Sequence, residues 1–136
     1  MKKVVVDTSV FIRLFTMDDK SKSTKAKELI EKAISGEVEI FVPFIVVAEI
    51  VWVLEKIYRV SKEEISEIIE SLINTPGMNV ELSGVVRSAL GFYRGKNIKF
   101  ADAVISSWTL HIGADELITF DETDFKKVDN LKVKIL

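Results

Sequence analysis

KVVVDTSVFI, residues 3–12, decides how this chain is read. Three valines in succession leave no polar alternation, so residues 3–6 are expected to form a short strand buried on both faces, as in a parallel sheet. A carboxylate, Asp7, then stands where that strand must leave the sheet. Open α/β sheets bind their ligands at the C-terminal ends of the strands. Two readings of Asp7 follow: a functional acid on the rim, or an Asx-type cap of the next helix, shared with Thr8 and Ser9.

Outward from this stretch, strand and helix alternate. TSVFIRLF has helical apolar spacing, and DDKSKSTKAKELIEKAIS continues it as an amphipathic helix with Ala26, Leu29, Ile30 and Ala33 on one face, stopped by Gly36. VEIFV is the second strand. Pro43 opens a helix over residues 44–58, at a position where its missing N–H does no harm. Ser61 and Glu64 form a capping-box signature for the helix through EISEIIESLI, which breaks at Pro76-Gly77. MNVEL is a third strand, Ser83 a cap for GVVRSALGFYRG, and FADAVISSWTLHIG a further helix closed by Gly113. ELITF and KVKIL are the remaining strands. Such alternation predicts a parallel sheet covered on both faces, with right-handed crossovers that leave the strand C-termini on one rim.

A chain of 136 residues with no internal repeat and no linker is expected to be one domain, spanning 1–136. Cysteine is absent, which excludes disulfides, thiolate metal sites and thiol nucleophiles. The formal net charge is −2, so a polyanionic partner would have to be held by a local basic patch and a metal rather than by bulk attraction. No signal-peptide order is present, and the apolar run VPFIVVAEIVWVL is too short for a bilayer and contains a glutamate. A cytoplasmic location and no membrane association are expected.

Four acids stand out. Asp7 follows VVV and Asp121 follows LITF, each at a strand end. Glu49 lies in an apolar helix with Ile45, Val46, Trp52 and Val53 one turn away, where an ionised carboxylate costs several kcal/mol unless paired. A distant Arg13 is one structural partner for it. Asp102 falls in the first turn of a helix, where a favourable contact with the helix dipole is the competing explanation. Asp121 also reads as a turn residue, and Asp124 as loop chemistry. Clustered carboxylates are what a hard divalent cation takes, and metal-assisted attack on a phosphodiester needs no histidine or cysteine. His111, the one histidine, reads as a surface or hydrogen-bonded residue rather than a ligand.

VVVDTSV, the glutamate of VVAEIVWVL, FADAVI and LITFDETDF together resemble the four acidic motifs of the PIN-domain family, with the VapC-type ribonucleases of toxin–antitoxin pairs closest in length. The resemblance spans essentially the whole chain. It implies a three-layer α/β/α domain with a central parallel sheet of about five strands. It also implies a Mg²⁺- or Mn²⁺-dependent endoribonuclease acting on single-stranded RNA. Asp7, Glu49, Asp102 and Asp121 would form its acidic pocket, with Asp7 and Asp102 as direct metal ligands. Thr8 and Thr119 match supporting hydroxyl positions. Homodimers, or higher homo-oligomers, and a small antitoxin held against SVFIRLF and KAKELIEKAI are implied as well.

For RNA, FYRGKNIKF places Arg94, Lys96 and Lys99 just before Asp102, with Phe92, Tyr93 and Phe100 as stacking candidates, and Arg13 is a further cation. Trp52 and Trp108 read as core. The alternatives are a PIN-like module that binds RNA or protein without cutting, and an RNA-processing nuclease with no antitoxin. Receiver-type and Asp-x-Asp phosphatase chemistry is disfavoured, because Ser9 stands where a second acid would be needed.

Overall fold

The run VEIFV becomes a strand, β2 (Val38–Val42), whose period-two pattern suits a sheet: Val38, Ile40 and Val42 are buried and Glu39 and Phe41 half-buried. In the computed structural model, which describes residues 1–136, β2 is the middle strand of the first of two compact units, Met1–Glu81 and Leu82–Leu136. β1 (Lys2–Val5) pairs with it in parallel, Val4 opposite Ile40, and β3 (Met78–Val80) does so on the other side, Met78 opposite Ile40.

β1 departs from the sequence expectation. Val6 is buried, but Val5 is 70% exposed and Lys3 is exposed too. The reason is that both helical connections lie over one face of this sheet, and Lys3 and Val5, two residues apart on one face of the strand, lack that cover. The Lys3 ammonium lies 5.7 Å from the centroid of the Phe41 ring.

Four helices join these strands: α1 (Thr8–Thr16), α2 (Lys20–Ile34), α3 (Phe44–Lys56) and α4 (Lys62–Asn74). The strands follow one another in order across the sheet, so right-handed crossovers carry both helical connections over the same face, with α1 against α3 and α3 against α4. The expected run from α1 into α2 is broken at Met17, whose backbone is left-handed (φ 56°), and Asp19 restarts the helix by accepting the Lys22 N–H at 3.1 Å.

Asp18, at that break, accepts three donors: the Tyr58 hydroxyl at 2.7 Å, the Arg13 guanidinium at 2.8 Å and the Thr16 hydroxyl at 2.9 Å. Led by the Tyr58 bond, these hold its carboxyl down at about 2, from an ordinary 3.8. A lowered carboxyl stabilises the folded state above its unfolded value and stops doing so as pH falls through the folded one. The contribution is therefore full above 3.8 and lost on acidification toward 2. Tyr58→Phe is expected to shift the midpoint of acid unfolding upward, read by circular dichroism; an unchanged midpoint contradicts the clamp.

Pro43 stands at the N-cap of α3 and offers no side-chain cap. Glu81, just past β3, supplies one, its Oε1 accepting the Phe44 N–H at 2.8 Å. Ser61 caps α4 as expected, accepting the Glu64 N–H at 3.1 Å.

The second unit is built on two packed helices, α5 (Ser83–Gly95) and α6 (Phe100–His111), and a parallel pair, β4 (Leu117–Thr119) with β5 (Val133–Ile135). Val85, Val86, Ala89, Leu90, Tyr93 and Ala103 are buried, and the Ser107 hydroxyl crosses between the helices to the Val85 carbonyl at 3.0 Å. Ser83 is not the cap that the sequence suggests. It is the first helical residue, and Leu82, with φ 56°, holds the cap position. Every strand pairing is parallel, and with six helices the five strands make up the complement of the three-layer α/β/α class.

Candidate active site

Asp7 follows β1 and occupies the N-cap of α1 with extended backbone, yet its carboxylate accepts none of the helix N–H groups. The capping explanation fails on this geometry. The exposed carboxylate instead takes the Ser9 hydroxyl, at 3.1 Å. Thr8, buried beside it, donates its hydroxyl to Glu49 Oε1 at 3.0 Å and so ties α1 to α3.

Glu49 does not meet the burial cost expected of it. The buried side of α3 is Val46, Val47, Ile50, Val51 and Leu54, whereas Glu49 is exposed and flanked by exposed Ile45 and Trp52. Arg13, its suggested partner, is committed to Asp18. Trp52 is therefore not core.

In the second unit Asp102 is half-buried in the first turn of α6. Burial pushes its carboxyl above the ordinary value; the neighbouring Asp124 raises it further by hydrogen bond and charge, and the Lys99 ammonium opposes both. Asp124 is held down chiefly by accepting the Lys99 backbone N–H at 3.1 Å, with the Lys127 ammonium at 3.3 Å assisting. Asp121 is exposed. Its Oδ1 takes the Thr123 hydroxyl at 2.5 Å and the Thr123 N–H at 3.0 Å, which lowers its pKa, while the Thr119 hydroxyl accepts the Asp121 N–H at 3.0 Å. Thr119 thus fixes the backbone of the acid that it precedes.

Lys99 is close enough to bias Asp102, Asp121 and their surroundings by charge. Lys96 reaches exposed Asp129 at 3.8 Å, and Arg94 is exposed. Tyr93 is no stacking platform: it is 0% exposed and packs edge-on against Phe100, ring centroids 5.6 Å apart. Trp108, expected in the core, is 43% exposed and lies beside exposed His111. Glu81 carries no local sequence signature, and Asp124, loop chemistry by its sequence, is tied to the start of α6. Asp124's place three residues after Asp121 and before a buried Phe125 was the available signal.

Carboxylate oxygens are the donors Mg²⁺ takes, usually one or two of them with several waters retained. Asp102 and Asp124, side by side in the second unit, suit that demand in donor type; no group of three or more acidic, histidine or cysteine side chains is gathered about one point. Between α1 and α2 an open groove of about 420 Å³ has an apolar floor of Val10, Ala26 and Leu29 and a rim of Arg13, Lys22 and Lys25. No helix is long and apolar enough to cross a membrane.

A family model, that of the PIN domain, matches residues 4–131. The chain is 30% identical over 124 residues to a VapC ribonuclease of Aquifex aeolicus (strain VF5), an alignment covering 91% of this chain and 90% of that protein. It also aligns with a chain from the crystal structure of VapBC2 from Rickettsia felis bound to a DNA fragment from their promoter. That alignment covers 100% of this chain and 99% of the other at 16% identity, with a TM-score of 0.38.

Proposed function

Because this chain belongs to the PIN-domain family, we propose that it is a divalent-metal-dependent endoribonuclease cleaving single-stranded RNA, and the toxin of a toxin–antitoxin pair acting in the cytoplasm. The observation that supports this most is Asp102, a half-buried carboxylate with a raised pKa beside a second acid. Asp7 and Asp102 are assigned as metal ligands, with Glu49 and Asp121 completing the acidic set. Mg²⁺ or Mn²⁺, when bound, supplies Lewis-acid stabilisation of the phosphodiester and an activated water. Thr8 orients the Glu49 carboxylate through its hydroxyl, and Thr119 and Thr123 orient Asp121.

Arg94, Lys96 and Lys99 are assigned to the RNA backbone. The Lys96–Asp129 pair is exposed and weak enough to be exchanged for a phosphate. Arg13, held by Asp18, is a poorer candidate. The groove between α1 and α2, with its cationic rim, suits an acidic amphipathic segment of a small antitoxin. We further propose that the chain forms one domain and self-associates as a homodimer or higher homo-oligomer.

Labelled single-stranded RNA incubated with the purified protein should be cut with Mg²⁺ or Mn²⁺ and left intact with excess EDTA. Cleavage undiminished by EDTA would remove the metal-dependent reaction. RNA that is retained but never cut, in either metal, would favour the binding-module reading.

A further inference from the structure

Asp102 stands at the third helical position of α6, counted from Lys99 at the N-cap. In a capping box the carboxylate at this position folds back to accept the N–H of the N-cap residue. Here another residue has taken that donor. The Lys99 N–H goes to Asp124 Oδ2 at 3.1 Å, from 25 residues along the chain, and Lys99 makes no side-chain cap of its own. Asp124 is in turn held in place. The 3-10 turn Phe125–Lys127 follows it, with Phe125 buried. The Lys127 ammonium bonds both the Asp124 carboxylate, at 3.3 Å, and the Asn97 carbonyl, at 3.4 Å, on the loop leading into α6.

We propose that Asp124 is a positioning residue: by accepting the Lys99 N–H it displaces Asp102 from the capping role that its place in the helix would impose. Asp102 is thereby left hydrogen-bonded to the Asp124 carboxylate, instead of being folded onto its own backbone. A carboxylate satisfied by the helix terminus is already engaged with a donor and pointed along the axis. One aimed away from the helix can meet an ion or a substrate. The proposal rests on the reading of Asp102 as a site acid, but its test does not depend on cleavage.

The test is a double-mutant cycle in metal-free protein, read as hydrogen exchange at the Lys99 amide by NMR. In D124A, Asp102 is expected to fold back and take over, so that Lys99 stays protected. In D102A, Asp124 remains and Lys99 also stays protected. Only D102A/D124A should lose protection, by at least tenfold beyond either single variant. The milder D102A/D124N is expected to keep it, because the amide oxygen accepts the same N–H. Loss of protection in D124A alone would make Asp124 a plain structural tie and overturn the proposal, as would loss in D102A/D124N. In cleavage, D124A should fall at least tenfold and need more Mg²⁺ for half-saturation, with D124N restoring most of both. D124A cutting like the wild type also overturns the proposal. Should the wild-type protein cut no RNA, the nuclease reading falls, while the exchange cycle still decides the role of Asp124.

Discussion

Asp102→Asn is expected to abolish RNA cleavage, by about 10²-fold or more, while leaving the metal-free protein as stable as the wild type or more so. The size follows from the proposed role: the charge removed is one that would help hold a divalent ion, whose Lewis-acid contribution is several kcal/mol at about 1.36 kcal/mol per tenfold in rate. The stability direction follows from the environment of Asp102. Burial, and then Asp124, raise its carboxyl above 3.8, so the ionised form is disfavoured in the folded state. A carboxyl raised on folding lends stability at low pH that is lost as pH climbs through 3.8 and its folded value. Asn keeps the shape without that charge and should flatten this limb of the pH profile. No cap is lost, because Asp124 already takes the Lys99 N–H. Thermal melts with and without Mg²⁺ complete the measurement: the variant should gain less from the ion than the wild type does. A variant that melts lower without metal yet cuts RNA normally would remove Asp102 from the site.

Gly77→Ala is expected to cost about 3 kcal/mol and to lower the melting temperature by roughly 10 °C, through two independent effects. Gly77 has φ +80°, a left-handed conformation that a Cβ disfavours, and the added methyl would press on the backbone carbonyl of Ala33 at the end of α2. Neither side can yield cheaply, since both are main chain. The Gly77 carbonyl accepts the Ile40 N–H at 2.8 Å, so a shifted turn also disturbs the start of the β2–β3 ladder. That ladder leads to Glu81, which caps the helix carrying Glu49. Urea unfolding of the variant measures the loss, and a midpoint equal to that of the wild type would show that the turn relaxes freely.

The sequence by itself determined the order and type of the elements, because those signals are local. VEIFV, the Ser61–Glu64 cap and the Gly36, Gly77 and Gly113 stops are each legible within a few residues, and each is found where it was expected. Asp7 and Asp121 stand just after strands as read, whereas Glu49, read as an acid in apolar surroundings, lies on the exposed side of its helix. Burial was the less secure part. β1 looked fully buried from its valines, and Trp52 and Trp108 looked like core, because hydrophobicity records what a side chain tolerates and not which neighbours the topology supplies. Only the tertiary structure decided how the polar groups pair. Thr8 meets Glu49 across 41 residues, Glu81 meets the start of α3 across 37, and Asp124 meets the start of α6 across 25. An unsatisfied N–H or carboxylate can be met by any donor or acceptor that folding brings within about 3 Å, and that choice leaves no periodicity in the chain to read.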